Sequence, residues 1–204
     1  MAFLTSRPAQ RQMLVVPTLL LALAALVVVL LSRPARHSLH DEASAGPIEV
    51  ARTNLVLENG RLRQPGSASF FSGLMLEHYP DGTLRSRSAI TNGFLHGLSE
   101  GWHTNAQLQV SEHFKHGISH GLRTKWYPDG AKQSEASIAD GQLHGLFRKW
   151  HENGTLAEQV QFVGGQPDGD SFAYFPSGCL KARVLMKAGK LIEQKFWKDG
   201  ENKG

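Results

Sequence analysis

The sequence predicts an all-β fold, an elongated antiparallel sheet of tandem 24-residue β-hairpins that follows an N-terminal transmembrane helix. Glycine begins each of five consecutive 24-residue units, and a fixed period of this length is typical of repeat architectures. Two glycine-containing turns in every unit leave segments too short for stable helices but suited to strands. The five units fill residues 73–192 and begin at Gly73, Gly97, Gly121, Gly145 and Gly169.

The predicted transmembrane segment is residues 13–31, MLVVPTLLLALAALVVVLL, which carries no charge. At about 1.5 Å per residue, a helix of this length approaches the thickness of a bilayer core. A cleaved signal peptide is the alternative, but its apolar run is usually shorter and its cleavage site closer than Ala43-Ser44-Ala45. We therefore expect a single-pass anchor. The short tail of residues 1–12 favours an extracytoplasmic repeat domain, and residues 32–47 are a polar linker.

Within a unit we number positions from its first glycine. Positions eight to ten form a turn, such as Pro128-Asp129-Gly130, in which proline presets φ and glycine accepts positive φ. The glycines with this structural role are Gly82, Gly130, Gly154 and Gly178. Unit two has Ala106 in their place, where we expect backbone strain. A second turn ends at the glycine of position 21, so each unit should be one hairpin.

Both ends of the array depart from the repeat. Residues 48–72 contain a hairpin-like segment with Asn59-Gly60 at its turn, and we interpret them as a degenerate capping repeat. Residues 193–204 resemble the first part of a unit and are interpreted as a truncated C-terminal cap. Lys195, Lys198 and Lys203 would protect an exposed strand edge against pairing with other chains.

Units such as GLRTKWYPDGAKQSEASIADGQLHG resemble MORN repeats in their variant form, and most of all the bacterial YwqK-like antitoxin family. The resemblance covers about residues 49–204. It implies an elongated all-β array that binds another protein, and for the antitoxin family that protein is a toxin. The apolar segment 13–31 departs from a soluble antitoxin, and Ala106 departs from the turn pattern.

The charge distribution does not favour nucleic-acid binding, despite a sequence pI of about 9.3. Four of the 22 Lys and Arg lie in residues 1–40, which have no acidic residue, and the other 18 match all 18 Asp and Glu. The repeat region is therefore formally neutral, whereas nucleic-acid binding normally needs an excess of cations on one face. We expect no nucleic-acid partner.

No pattern indicates catalysis, a metal or a cofactor. His113 to His120 includes HxxH spacing, but Gly117 falls at the recurring turn, so this segment is not a helix. His96, His120 and His144 share position 24 and should lie roughly 9–10 Å apart, too far to share one zinc ion. Cys179 is expected to be an exposed turn residue. We expect no catalytic, metal-binding or cofactor-binding residues and no enzyme activity.

The best candidate surface is the aromatic column at position six. It either forms core contacts between units or presents a platform for a partner, because aromatic residues are favoured interface anchors. The candidate partner-binding residues are Trp102, Trp126, Trp150 and Tyr174.

These observations predict a non-enzymatic, membrane-tethered repeat module that binds an unidentified protein on an extended β surface. Two alternatives stay open: an antitoxin-like protein that neutralises a toxin by direct binding, and a secreted or envelope structural protein that binds lipid or glycan.

Overall fold

A computed structural model describes residues 46–201, where all regular structure is β except one 3-10 turn at Arg52–Asn54. Among these residues no helix is long and apolar enough to cross a membrane. The predicted tail and anchor, and the linker as far as residue 45, lie outside the described residues. The strands are β1 Glu49–Ala51, β2 Val56–Glu58, β3 Arg61–Arg63, β4 Gly73–His78, β5 Leu84–Thr91, β6 Phe94–Trp102, β7 Leu108–Lys115, β8 Ile118–Ser119, β9 Gly121–Trp126, β10 Lys132–Ala139, β11 Gln142–Trp150, β12 Leu156–Val163, β13 Gln166–Pro167, β14 Gly169–Tyr174, β15 Leu180–Lys187 and β16 Lys190–Phe196.

The units form one sheet in which neighbouring strands follow one another along the sequence. Its order is β1-β4-β5-β6-β7-β9-β10-β11-β12-β14-β15-β16, with β8 and β13 as short extensions that pair with β7 and β12. The prediction of tandem antiparallel hairpins is therefore confirmed for the five units. The prediction of a wholly antiparallel sheet is wrong at one edge, because β1 pairs with β4 in parallel and makes the sheet mixed.

The N-terminal segment packs against the first unit and supplies the main apolar cluster. Strands β2 and β3 form a separate hairpin, with Asn59 and Gly60 both at positive φ in the expected turn. The buried members of the cluster are Val50, Leu55, Leu62, Phe71 and Ile90. Gly93 is required at this junction, because a Cβ there would lie 2.8 Å from the Cβ of Arg61. The N-terminal segment thus adds a local core at the start of the sheet.

The first turn of every unit is a three-residue loop, as the sequence predicted. In unit one the N–H of Tyr79 donates to the carbonyl of Thr83 at 2.8 Å, and the N–H of Gly82 donates to the carbonyl of Tyr79 at 2.9 Å. The same two bonds recur in the other four units. The tenth position has positive φ throughout, including 64° at Ala106.

The expectation that Cys179 is exposed is wrong, since only 4% of its surface is accessible. Cys179 occupies position eleven, the residue that closes the loop by accepting the N–H of Phe175. At the same position of unit four, the hydroxyl of Thr155 donates to the carbonyl of Pro176 in the next unit. In unit four position eleven therefore contacts the following loop, whereas Thr83 and Gln107 at the same position are exposed, so burial at position eleven is particular to the unit.

The second turn has two left-handed residues rather than one. Positions 20 and 21 both have positive φ, as in Asp140 at 50° and Gly141 at 79°, the pattern of a type I′ hairpin turn. The other non-glycine residues at position 20 are Asn92, His116 and Ala188, all with φ near 50°. These tight turns match the twist of the flanking strands and hold consecutive units in one sheet.

Consecutive units differ in whether a strand continues through the first glycine of the next unit, and the same arrangement returns in every second unit. Strands β6 and β11 run without a break through the first glycine of the next unit, whereas β8/β9 and β13/β14 are interrupted just before it. In the unbroken strands, a Cβ at Gly97 would lie 3.3 Å from the Ala89 Cβ, and one at Gly145 would lie 3.1 Å from the Ser137 Cβ. Small side chains at position 17 therefore accompany the unbroken strands.

Replacement of Ala106 with glycine is expected to raise the free energy of unfolding by up to about 1 kcal/mol, because alanine is strained at positive φ. Gly130→Ala, at the same loop position of unit three, is the matched control and should lower it. Thermal and denaturant unfolding followed by circular dichroism would measure both. An unchanged or lower stability for Ala106→Gly would contradict the proposed strain.

Candidate functional site

The aromatic residues of position six lie at the ends of β6, β9, β11 and β14, directly before the loops. The side chains of all four predicted residues are half-buried, whereas His78, their counterpart in unit one, is exposed. They form neither a sealed core nor a fully open platform. The members of this column are Trp102, Trp126, Trp150 and Tyr174.

A ladder of hydrogen bonds holds the column in place. The side chain at position seven reaches the backbone carbonyl at position six of the next unit, as in Tyr127 Oη to the Trp150 carbonyl at 2.9 Å. The histidines of units two and four make the same contact through Nε2, each at 3.0 Å. This ladder was not predicted from the sequence, although the aromatic residues at position seven alternate Tyr, His, Tyr, His before Phe175. The ladder comprises Tyr79–Trp102, His103–Trp126, Tyr127–Trp150 and His151–Tyr174.

The loops of units two and four make a second set of contacts, each to the loop of the next unit. Asn105 and Asn153, at position nine of units two and four, donate to the carbonyls of Pro128 and Pro176, both at 2.7 Å. A carboxylate cannot donate in this way, and Asp81 instead accepts from Thr83 within its own loop. The hydroxyl and N–H of Thr83 lower the pKa of Asp81, since both bonds favour the charged carboxylate.

Every unit also carries a β-bulge beside the column. In unit four Trp150 pairs with Leu156 and Lys149 pairs with Glu158, so Ala157 has no partner on β11. The same shift occurs in each unit and leaves position thirteen as the extra residue. Bulges redirect side chains and are frequent beside functional sites. The residues at position thirteen are Arg85, Gln109, Gln133, Ala157 and Lys181.

Ala157 has the smallest side chain at position thirteen, and it lines a groove of about 620 Å³. Trp150 and Tyr174 of the column also line the groove, together with Ala173. Four of the five units place a long polar or charged side chain at position thirteen, whereas unit four has alanine there. The groove is therefore lined by two of the predicted partner-binding residues, Trp150 and Tyr174, and by the bulge residue Ala157, which was not predicted from the sequence.

Charged side chains surround the aromatic floor. Lys149 and Glu158 are directly opposite in the sheet, and Glu152 and Lys181 also line the groove. Lys132 stands at position twelve, where the other four units have leucine. Its Nζ lies 5.3 Å from the centre of the Trp150 ring. That distance fits a cation–π contact. The groove is thus lined by aromatic side chains together with charges of both signs.

The histidines do not gather into a metal site within residues 46–201, where no group of three or more suitable ligands is close enough to bind an ion. His96 and His116 do meet, with ring centres 4.9 Å apart. They occupy different positions of the repeat, and the N–H of His116 donates to Nδ1 of His96. The pair therefore joins a turn to the preceding strand.

The fold and the column define a tandem β-hairpin repeat module. Residues 143–163, which contain the hairpin of β11 and β12 and its loop, match the family model described as MORN repeat variant. This match supports the MORN-repeat character of the units. No curated protein matches the chain.

One similar solved structure is a mutant of S. aureus TarM in complex with fondaparinux, alpha-GlcNAc-glycerol and UDP. The two chains are 14% identical with a TM-score of 0.31, and the match covers 48% of this chain and 19% of that one. At this TM-score the likeness carries no argument about function.

Tyr127→Phe should lower the free energy of unfolding by about 1 kcal/mol, because it removes the side-chain bond to the Trp150 carbonyl. Tyr174→Phe is the matched control, since the Tyr174 hydroxyl makes no hydrogen bond within the described residues. Denaturant unfolding would compare the two. Equal stabilities would show that the ladder does not stabilise the array.

Proposed function

We propose that this chain is a non-enzymatic, membrane-tethered repeat module that binds a protein partner on its β surface. The groove at Ala157 carries the proposal. It places Trp150 and Tyr174 beside open space, on a backbone fixed by the ladder from the preceding unit. The rigid placement lowers the entropy that aromatic anchors lose on binding.

The composition of the groove suits a protein segment. Interfaces typically combine aromatic anchors at the centre with a polar rim, and the Trp150–Tyr174 floor and the Lys149–Glu158 pair follow that arrangement. Lysines and glutamates at the rim would select the register of a partner segment more than they would add affinity. A peptide strand or loop with an apolar anchor fits this surface.

The resemblance to YwqK-like antitoxins supports a narrower version, in which the partner is a toxin covered by the array. This version makes a separate demand: the captured partner must be harmful when expressed alone and harmless when expressed with this chain. If the captured partner does not affect growth, the antitoxin hypothesis is excluded and the proposal of a general binding module stays.

The tether is proposed from residues 13–31, whose uncharged apolar run matches a single membrane span. A tagged full-length chain should remain with membranes after alkaline carbonate extraction. Replacement of Leu20 and Val27 with arginine should release it, because a charge near the bilayer centre costs about 3 kcal/mol. A shorter, soluble wild-type product would instead identify a cleaved signal peptide and contradict the tether.

Ala157→Gln should fill the groove and weaken partner binding by about tenfold or more. Glutamine already occupies this position in units two and three, so the stability should change by less than about 0.5 kcal/mol. A photo-crosslinking amino acid at Lys149, on the rim, would capture the partner in cells, and mass spectrometry would identify it. The captured partner would then be titrated against wild type and variant.

The double variant Trp126→Ala, Trp150→Ala separates the two roles of the column. A folded double variant that no longer binds the captured partner supports an interface, whereas an unfolded one shows that the column is structural. If the captured partner binds the Ala157→Gln variant as tightly as it binds the wild-type chain, the groove is excluded as its binding site.

A further inference from the structure

The last strand of the sheet, β16, has one edge that pairs with no other strand of residues 46–201. All seven of its residues are exposed, and it ends the sheet on the side opposite β1. Leu191 is 52%, Ile192 59% and Phe196 64% exposed, although apolar side chains on an open edge favour pairing with another strand.

The backbone shows which residues can accept a further strand. The N–H of Trp197 donates to the carbonyl of Lys181 at 3.0 Å, so Trp197 faces β15. In an antiparallel ladder the N–H and C=O of one residue point to the same side and alternate along the strand. Gln194 and Phe196 therefore direct both groups away from β15, towards the free edge.

The side chains on this edge are complementary to themselves. Residues 191–197 read Leu-Ile-Glu-Gln-Lys-Phe-Trp, with apolar residues at both ends, opposite charges inside them and an amide at the centre. An antiparallel pair centred on Gln194 places Glu193 opposite Lys195 twice. The complementary stretch ends at Glu193, because Ile192 is a bulge residue with no partner on β15: Glu193 pairs with Leu185 and Leu191 pairs with Met186.

Charge within the chain adds to the argument. Lys195 lies directly opposite Arg183 on β15, and like charges in that arrangement destabilise a sheet. Arg183 is compensated by Asp170 at 2.8 Å, whereas no ion pair within the described residues includes Lys195. The Glu193 of another copy would supply that missing partner.

We infer that β16 is a homodimerisation edge, at which a second copy of this chain pairs antiparallel through residues 193–195 about a two-fold axis at Gln194. The two sheets join into one continuous sheet, and the free edge of each is covered. This edge is separate from the groove at Ala157, so the inference stands independently of the partner proposed there.

Site-directed disulfide formation tests the register in the full-length chain, in isolated membranes, with the native thiol removed by Cys179→Ser. Gln194 pairs with itself on the axis, where hydrogen-bonded residues have Cα atoms about 5.5 Å apart, within disulfide range. Gln194→Cys should therefore give a covalent dimer under mild oxidation. The matched control is Phe196→Cys on the same strand and edge, whose two copies would lie about 14 Å apart and should stay monomeric.

Two further measurements test whether the partner is a second copy of this chain and whether Glu193 and Lys195 select the register. A mixture of Glu193→Cys and Lys195→Cys chains should give a mixed dimer, because the proposed register places these two residues opposite each other. In the Gln194→Cys chain, Glu193→Lys should reduce crosslinking at least fivefold, and adding Lys195→Glu should restore it, with circular dichroism confirming the fold of each variant. Equal crosslinking at positions 194 and 196, no crosslinking at either, an adduct with a different protein, or no response to charge reversal would overturn the inference.

Discussion

Pairing between consecutive hairpins is the interaction on which the rest of this structure depends. The units share one sheet, no helix covers it within residues 46–201, and no side chain there is fully buried. A sheet of this kind cannot depend on a sealed core, so backbone ladders hold it together. The left-handed turn residues make that pairing possible, since they reverse the chain within two or three residues. In units one to four the bonds from position seven then fasten each loop to the next unit.

The same pairing positions the candidate site. A bulge beside each position-six residue is part of how the hairpin accommodates its loop, and the extra residue at position thirteen is left without a cross-strand partner. Its side chain can change without loss of ladder bonds. In unit four that freedom leaves Ala157 beside Trp150 and Tyr174, where the groove lies. The repeat therefore supplies the scaffold, and the small residue at position thirteen of unit four lines this groove.

The two edges of the sheet differ in how far they are covered. At the start, β1 and the β2–β3 hairpin close the sheet with a cluster of buried apolar residues around Leu55 and Phe71. At the other end β16 is exposed along its length. An array needs some means to stop its edge from pairing at random, and charge is the usual one. Here the charges on β16 are of opposite sign at either side of Gln194, so they select a register as well as discourage other pairings.

The sequence by itself determined the all-β class, the period, the three-residue loops and the strained position of Ala106, because these follow from local turn chemistry and from a spacing that recurs. It also predicted which residues share a column, since equivalent positions of a repeat must align. Only the tertiary structure decided what surrounds those columns. The parallel pairing of β1, the ladder from position seven and the groove at Ala157 arise between segments about 20 or more residues apart, and no local preference specifies them. Register between units, which depends on bulges and on contacts from one loop to the next, converts a repeated pattern into one particular surface.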